Sequence, residues 1–280
     1  MTGPQVVAHR GATAEAPEHT MAAYRRAAAI GADAVECDVR MTRDGVLVCV
    51  HDRRISHTSN GRGVVSALHL DELERYHFGA RKKVTQRSRW AGDEISAVND
   101  EPDVENGLVL TLDRLLDYIT ATPGTVRLAI ETKHPTRHTR KVEEALVGSL
   151  ERFGLLRDGA PVEWAGKPAV RMMSFSQLAV RRMADLAPGV PTVQLIGKRL
   201  RPVRRDLLTG SATAVGPGIA LLRSDPEYVA DAHAAGKEVH VWTVNEPRDM
   251  DLVRDLGVDV IITDHPRRLL RRLGREASSA

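Results

Sequence analysis

Along the chain, short apolar runs rich in β-branched residues alternate with longer stretches whose apolar positions recur at helical spacing. That rhythm is the pattern of parallel βα units. Strands are expected at Val6–His9, Ala34–Arg40, Val46–His51, Val126–Glu131, Ala169–Ser174, Thr192–Ile196, Gly218–Leu222, Glu238–Thr243 and Val258–Thr263. Helices are expected at Thr20–Ile30, with Gly31 as its C-cap, and at Thr111–Ile119, Lys141–Phe153, Gln177–Asp185, Pro226–Ala235, Pro247–Leu256 and Pro266–Leu273. Only a few residues separate Arg40 from Val46, whereas a parallel crossover needs about a dozen or more. Asp44-Gly45 is a hairpin signal. The second and third strands are therefore expected to pair antiparallel, and a two-residue turn there places His51 opposite Asp38. The remaining strands fit an α/β fold, a (β/α)8 TIM-type barrel with a small insertion after the third strand.

The insertion is expected over residues 53–107, where the rhythm gives way to polar, charged and glycine-rich sequence, with one helical turn at Asp71–Tyr76. A second irregular stretch is expected at Arg199–Pro217, and a frayed tail at Gly274–Ala280. Residues 1–273 read as one barrel domain, a size within the range of single-domain α/β barrels. Aromatics make up only 4% of the chain, so Val, Leu, Ile and Ala must build the core. No apolar run nears the roughly 20 residues that span a bilayer, and no signal peptide is visible. A cytoplasmic location, with Cys37 and Cys49 reduced, is the expectation. Net charge is +3, concentrated at Lys198–Arg205 and Arg267–Arg275. These runs read first as solvated surface and second as a site of peripheral attraction to anionic membranes. No aromatic stacking motif accompanies them, which argues against a nucleic-acid partner.

Polar residues interrupt the apolar strands at their C-terminal ends: His9 and Arg10, Glu36 and Asp38, His51, Glu131 and Lys133. Active sites of (β/α) barrels are built at that end. Alternate strand residues share a face, so Glu36 and Asp38 point the same way. Three carboxylates (Glu36, Asp38 and Glu131) in one barrel mouth repel each other unless a divalent cation or a basic side chain intervenes. Their all-oxygen chemistry suits Mg²⁺ or Ca²⁺. The plainer alternative is a set of structural ion pairs from Glu36 and Glu131 to Arg10 and Lys133. His9 and His51 titrate near neutrality and suit proton transfer to and from oxygen, while Arg10 offers forked donors to phosphoryl oxygens.

These motifs, in this order, resemble the glycerophosphodiester phosphodiesterase family. His9-Arg10-Gly11 with Pro17-Glu18-His19-Thr20 is similar to that family's first signature, and Glu36-Cys37-Asp38-Val39-Arg40 through Val50-His51-Asp52 to its second. Glu131-Thr132-Lys133, Ser174-Phe175, Val241-Trp242-Thr243-Val244-Asn245 and Gly257-Val258-Asp259 through Thr263-Asp264-His265-Pro266 continue the match. The resemblance implies a TIM-type barrel and a Ca²⁺ or Mg²⁺ ion on Glu36, Asp38 and Glu131. It implies His9 and His51 as the acid/base pair, phosphate contacts from Arg10 and Lys133, and Phe175 and Trp242 beside the glycerol or leaving group. The implied reaction is hydrolysis of small-molecule glycerophosphodiesters to sn-glycerol 3-phosphate and an alcohol. His19 stands where the family usually has Asn. The rival readings are a lysophospholipase D acting at a membrane surface and a non-catalytic glycerophosphodiester-binding protein.

Overall fold

The computed structural model describes residues 3–79, 107–138, 140–197 and 210–275. Residues 80–106 of the expected insertion and the basic run Lys198–Arg205 lie outside the described residues.

Eight parallel strands close into a barrel. They are β1 (Gln5–Ala8), β2 (Ala34–Met41), β4 (Arg127–Thr132), β5 (Val170–Ser174), β6 (Thr192–Ile196), β7 (Ala214–Pro217), β8 (Glu238–Val241) and β9 (Val260–Thr263), and β1 pairs with both β2 and β9 to seal the ring. β3 (Leu47–Cys49) pairs antiparallel with the outer end of β2, so it is the ninth strand candidate and not a stave. The helices α1 (Met21–Ala29), α2 (Leu70–Leu73), α3 (Leu112–Ala121), α4 (Lys141–Arg152), α5 (Gln177–Leu186), α6 (Ile219–Ser224), α7 (Tyr228–Ala234), α8 (Pro247–Asp255) and α9 (Pro266–Arg272) follow in chain order. Thr20, Thr111 and Ser176 cap α1, α3 and α5 by accepting backbone N–H bonds at their first turns.

Strand alternation sorts the core into two shells. Residues of one parity, among them Val7, Ala34, Ala129, Met173, Val193, Leu195, Val260 and Ile262, fill the barrel interior. Residues of the other parity, such as Val35, Cys37, Leu128, Ile130, Val170 and Met172, pack outward against helices. Continuing the inward parity to the strand ends brings His9, Glu36, Asp38, Glu131 and Trp242 to one mouth. At the other end, Arg171 meets Gln5 and His240, a polar plug on the face where barrels keep structural residues.

Four expectations change. The hairpin register is Val39↔Cys49 and Arg40↔Val48, which sets Val50, not His51, opposite Asp38. The loop holds three residues because Thr42 hydroxyl binds the Asp44 carboxylate and accepts from Val46 N–H, and Gly45 takes φ +90°. That is the turn-plus-left-handed-residue loop of three-residue hairpins. The strand expected at Gly218–Leu222 is instead the start of helix α6, which buries Leu221 and Leu222. The stave is Ala214–Pro217, inside the stretch expected to be irregular. Its small residues hide the strand signal, yet they are required: a Cβ on Gly216 would lie 2.6 Å from Leu195 Cδ2. The helical turn expected at Asp71–Tyr76 is displaced to Leu70–Leu73, started by the mutual bonds of His69 and Glu72. Finally, Gly274 and Arg275, the start of the expected tail, are held in place, because Arg275 N–H binds the Leu270 carbonyl and its guanidinium grips Asp33 at 2.7 Å, while residues 276–280 lie outside the described residues.

The basic terminal helix is solvated at Arg271 and Arg272, as expected, but it is also ion-paired. Arg267 pairs with Glu15, and Arg272 with Asp251. These pairings remove much of the charge available to an anionic membrane. No helix among the described residues is long and apolar enough to cross one.

Candidate active site

After β1 the chain turns sharply. Arg10 adopts φ +56° and Gly11 φ +89°. A side chain on Gly11 would meet Ala23 atoms at 2.6–2.9 Å, so only glycine fits there. The strained Arg10 backbone is fixed at both ends: its N–H donates to Glu36 Oε2 at 3.0 Å and its carbonyl accepts from His19 N–H at 3.1 Å. This turn throws His9 and Arg10 over the mouth.

Parallel pairing sets Asp38 beside Glu131, and Glu36 lies one inward step below Asp38. All three are buried, and one oxygen from each lies within 4.8 Å of the others. Basic groups bind them from the side. Lys133 Nζ reaches Glu131 at 2.7 Å and Asp38 at 3.1 Å. Arg10 Nε lies 3.0 Å from Asp38 Oδ2 without the alignment of a hydrogen bond. The ion pairs anticipated from sequence therefore exist in part, but Arg10 faces Asp38 and offers Glu36 only its backbone.

Burial, then Asp38 and Glu131, push the Glu36 carboxyl well above the ordinary range. Burial and Asp38 push Glu131 up to about 7. Burial works the same way on Asp38, but the His19 bond and the charges of Lys133 and Arg10 outweigh it and hold that carboxyl well below its usual value. An all-oxygen, buried, electrostatically strained donor set with basic flanks fits a hard divalent cation.

The two histidines are braced alike. His9 Nδ1 lies 2.8 Å from Asp264 Oδ1, and His51 Nδ1 lies 2.9 Å from Asp52 Oδ1. In each ring Nε2 is left for the cleft that both line with Arg10, Glu36, Glu131 and Lys133. The slipped hairpin register does not exclude His51, because β3 ends at Cys49 and the Arg40 guanidinium holds the His51 carbonyl at 2.7 and 2.9 Å. Burial, with the charges of Lys133 and Arg10, depresses His51 to about 4 despite Asp38. Phe175 and Trp242 line the same cleft, edge to face with centroids 5.4 Å apart, and Lys133 Nζ sits 5.9 Å from the Phe175 ring. All nine residues singled out from sequence therefore line one cleft or its floor.

Asp264 was missed as a site residue. It also accepts from Thr13 Oγ1 at 2.8 Å and Asn245 Nδ2 at 2.7 Å, and these bonds overcome burial to keep it far below the usual carboxylate range. Its signal was the one that marked His9: a polar residue directly after an apolar barrel strand. His19, buried, joins Asp38 Oδ2 through Nε2 at 3.0 Å and Tyr24 hydroxyl through Nδ1 at 2.8 Å. Burial lowers His19 and raises Tyr24, so the tyrosine hydroxyl donates to His19 and neutral His19 donates to Asp38.

A cleft of acids, histidines and basic side chains on the C-terminal rim of a closed eight-stranded barrel is where an enzyme of this fold places its active site. The comparisons name the family. The profile of the glycerophosphoryl diester phosphodiesterase family matches residues 9–268, and the chain belongs to that family of hydrolytic enzymes. It is 43% identical over 268 residues to "Probable glycerophosphodiester phosphodiesterase 1" of Mycobacterium tuberculosis, covering 95% of this chain and 90% of that one. It is 32% identical over 263 residues to a glycerophosphodiester phosphodiesterase of Bacillus subtilis, covering 93% and 83%. In fold it matches an Oleispira antarctica phosphodiesterase solved in complex with its product sn-glycerol-3-phosphate, at TM-score 0.77 and 22% identity, over 97% of both chains.

Proposed function

We propose that this protein hydrolyses glycerophosphodiesters to sn-glycerol 3-phosphate and an alcohol, with Glu36, Asp38 and Glu131 holding Mg²⁺ or Ca²⁺ and with His9 and His51 as the proton-transfer pair. One observation carries the reading: two carboxylate-braced histidines share a cleft with three buried carboxylates that lie within 4.8 Å of one another. When bound, the cation would draw charge from the phosphoryl oxygens. Arg10 and Lys133 bind those oxygens and remain in place as charge builds on them. His51, held neutral by its surroundings, takes the proton from the attacking oxygen, whether of water or of the glycerol 2-hydroxyl. His9, oriented by Asp264, hands a proton to the departing alcohol. Phe175 and Trp242 shield the carbon skeleton beside the phosphate from solvent.

The test is a turnover screen with glycerophosphocholine, glycerophosphoethanolamine, glycerophosphoinositol and lysophosphatidylcholine, each with Mg²⁺ and with Ca²⁺. Release of sn-glycerol 3-phosphate from the small diesters is expected. Cleavage of lysophosphatidylcholine alone would favour the lysophospholipase D reading, and binding without cleavage of any would favour the non-catalytic one.

A further inference from the structure

Beside the reaction cleft lies a second pocket of about 260 Å³ that the mechanism above does not use. Arg40, Arg53, Lys133 and Arg137 line it together with the hydroxyl residues Ser66 and Thr136, and no carboxylate is among its lining residues. These side chains come from separate segments. Arg40 lies on β2, Arg53 and Ser66 on the stretch after β3, and Thr136 and Arg137 on the loop after β4. Lys133 lines both pockets, so the two adjoin at its ammonium group.

Arg10, Arg152, Arg223, Arg267, Arg272 and Arg275 each contact a carboxylate. Arg53 and Arg137, both exposed, have no acidic partner among the described residues. Arg40 spends Nε and one amino group on the His51 carbonyl, which leaves its other amino group uncommitted. Lys133 is committed to Glu131 and Asp38, but Arg53, Arg137 and the spare amino group of Arg40 set cationic donors on a concave surface with no carboxylate in its lining, which suits an anion, and guanidinium forks suit phosphate.

We propose that this pocket is an anion subsite for the leaving group, so that the preferred substrates are glycerophosphodiesters whose departing alcohol carries its own phosphate. The inference rests on the hydrolase reading and deepens it. With the scissile phosphate on Arg10 and Lys133, the second phosphate lies on the far side of Lys133, held by Arg53 and Arg137, while Arg40 ties that subsite to His51. A neutral or cationic leaving group finds nothing there to bind.

The experiment compares glycerophosphoglycerol with the same diester phosphorylated on its leaving glycerol. In wild-type protein kcat/KM is expected to favour the phosphorylated diester about tenfold, the effect of roughly one charge-assisted contact. In the double variant Arg53→Gln, Arg137→Gln that preference ratio falls towards one. A ratio near one in the wild type, or a ratio that survives in the double variant, would overturn the subsite. Calorimetric affinities of the two diesters for the His51→Ala protein read the subsite without turnover. Tighter binding of the phosphorylated diester is expected, and equal affinities would overturn it. If neither diester is cleaved by the wild type while the affinity difference remains, the hydrolase reading falls and the subsite stands.

Discussion

Replacing Asp264 by Asn separates the positioning of His9 from every group that touches substrate. The carboxylate accepts three bonds, from His9 Nδ1, Thr13 Oγ1 and Asn245 Nδ2 at 2.7–2.8 Å. An amide keeps the shape but loses the charge, and it supplies one acceptor oxygen where the carboxylate supplied two. Either Asn245 then faces an N–H donor, or His9 and Thr13 do. A charge-assisted hydrogen bond is worth about 1.5–3 kcal/mol, and its loss at His9 corresponds to roughly a 10- to 150-fold fall in kcat. KM should change little, because Asp264 is not among the residues lining the cleft. Stability should fall as well. A carboxyl depressed in the fold contributes stability above its unfolded pKa of about 4, and that contribution is lost as pH falls through the folded value. At pH 7 the Asn variant therefore lacks the whole of it. Steady-state kinetics on glycerophosphocholine at saturating cation, with thermal unfolding as the control for folding, provides the assay. A folded variant whose kcat stays within about twofold of wild type would refute the role given to Asp264.

Other outcomes follow from the same geometry. His51→Ala should cost about 10²- to 10⁴-fold in kcat while calorimetric binding of Mg²⁺ or Ca²⁺ persists; near-normal turnover would remove it from the proton-transfer pair. Glu131 is pushed up to about 7, so cation binding must displace its proton and should weaken as pH falls below about 7, measured by calorimetry from pH 5 to 8. By the same shift, the share of stability that Glu131 gives the cation-free fold is fully present below its unfolded pKa of about 4.3 and is lost as pH rises through 7, so added cation should raise the melting temperature more at pH 8 than at pH 5. Gly11→Ala should destabilise by at least about 1–3 kcal/mol in denaturant titration, since the new methyl would overlap the Ala23 backbone at a φ of +89°.

Much of this site is legible from local rules. Polar residues closing apolar strands, and the two-residue spacing of Glu36 with Asp38 and of Glu131 with Lys133, need only strand alternation and a barrel with one active rim. What escapes is set by contacts distant in sequence or by side chains in turns. Asp264 braces a histidine 255 positions away, which becomes apparent only once β9 closes the ring against β1. The hairpin slips by one residue because Thr42 caps its own turn, a detail that Asp44-Gly45 alone does not reveal. Ala214–Pro217 reads as loop because its inward position must be glycine, whereas the apolar run after it is helical. Arg10 turns to Asp38 because the left-handed bend at Gly11 commits its backbone N–H to Glu36.

The cation is the central element, and its stoichiometry tests it most directly. Chelator-stripped protein, titrated calorimetrically with Mg²⁺ and with Ca²⁺, should bind one ion per chain, and turnover of glycerophosphocholine should return in proportion to occupancy. Glu131→Gln should lose both together. Full turnover in the stripped protein, or an ion bound as tightly after that substitution, would contradict a cation held by Glu36, Asp38 and Glu131.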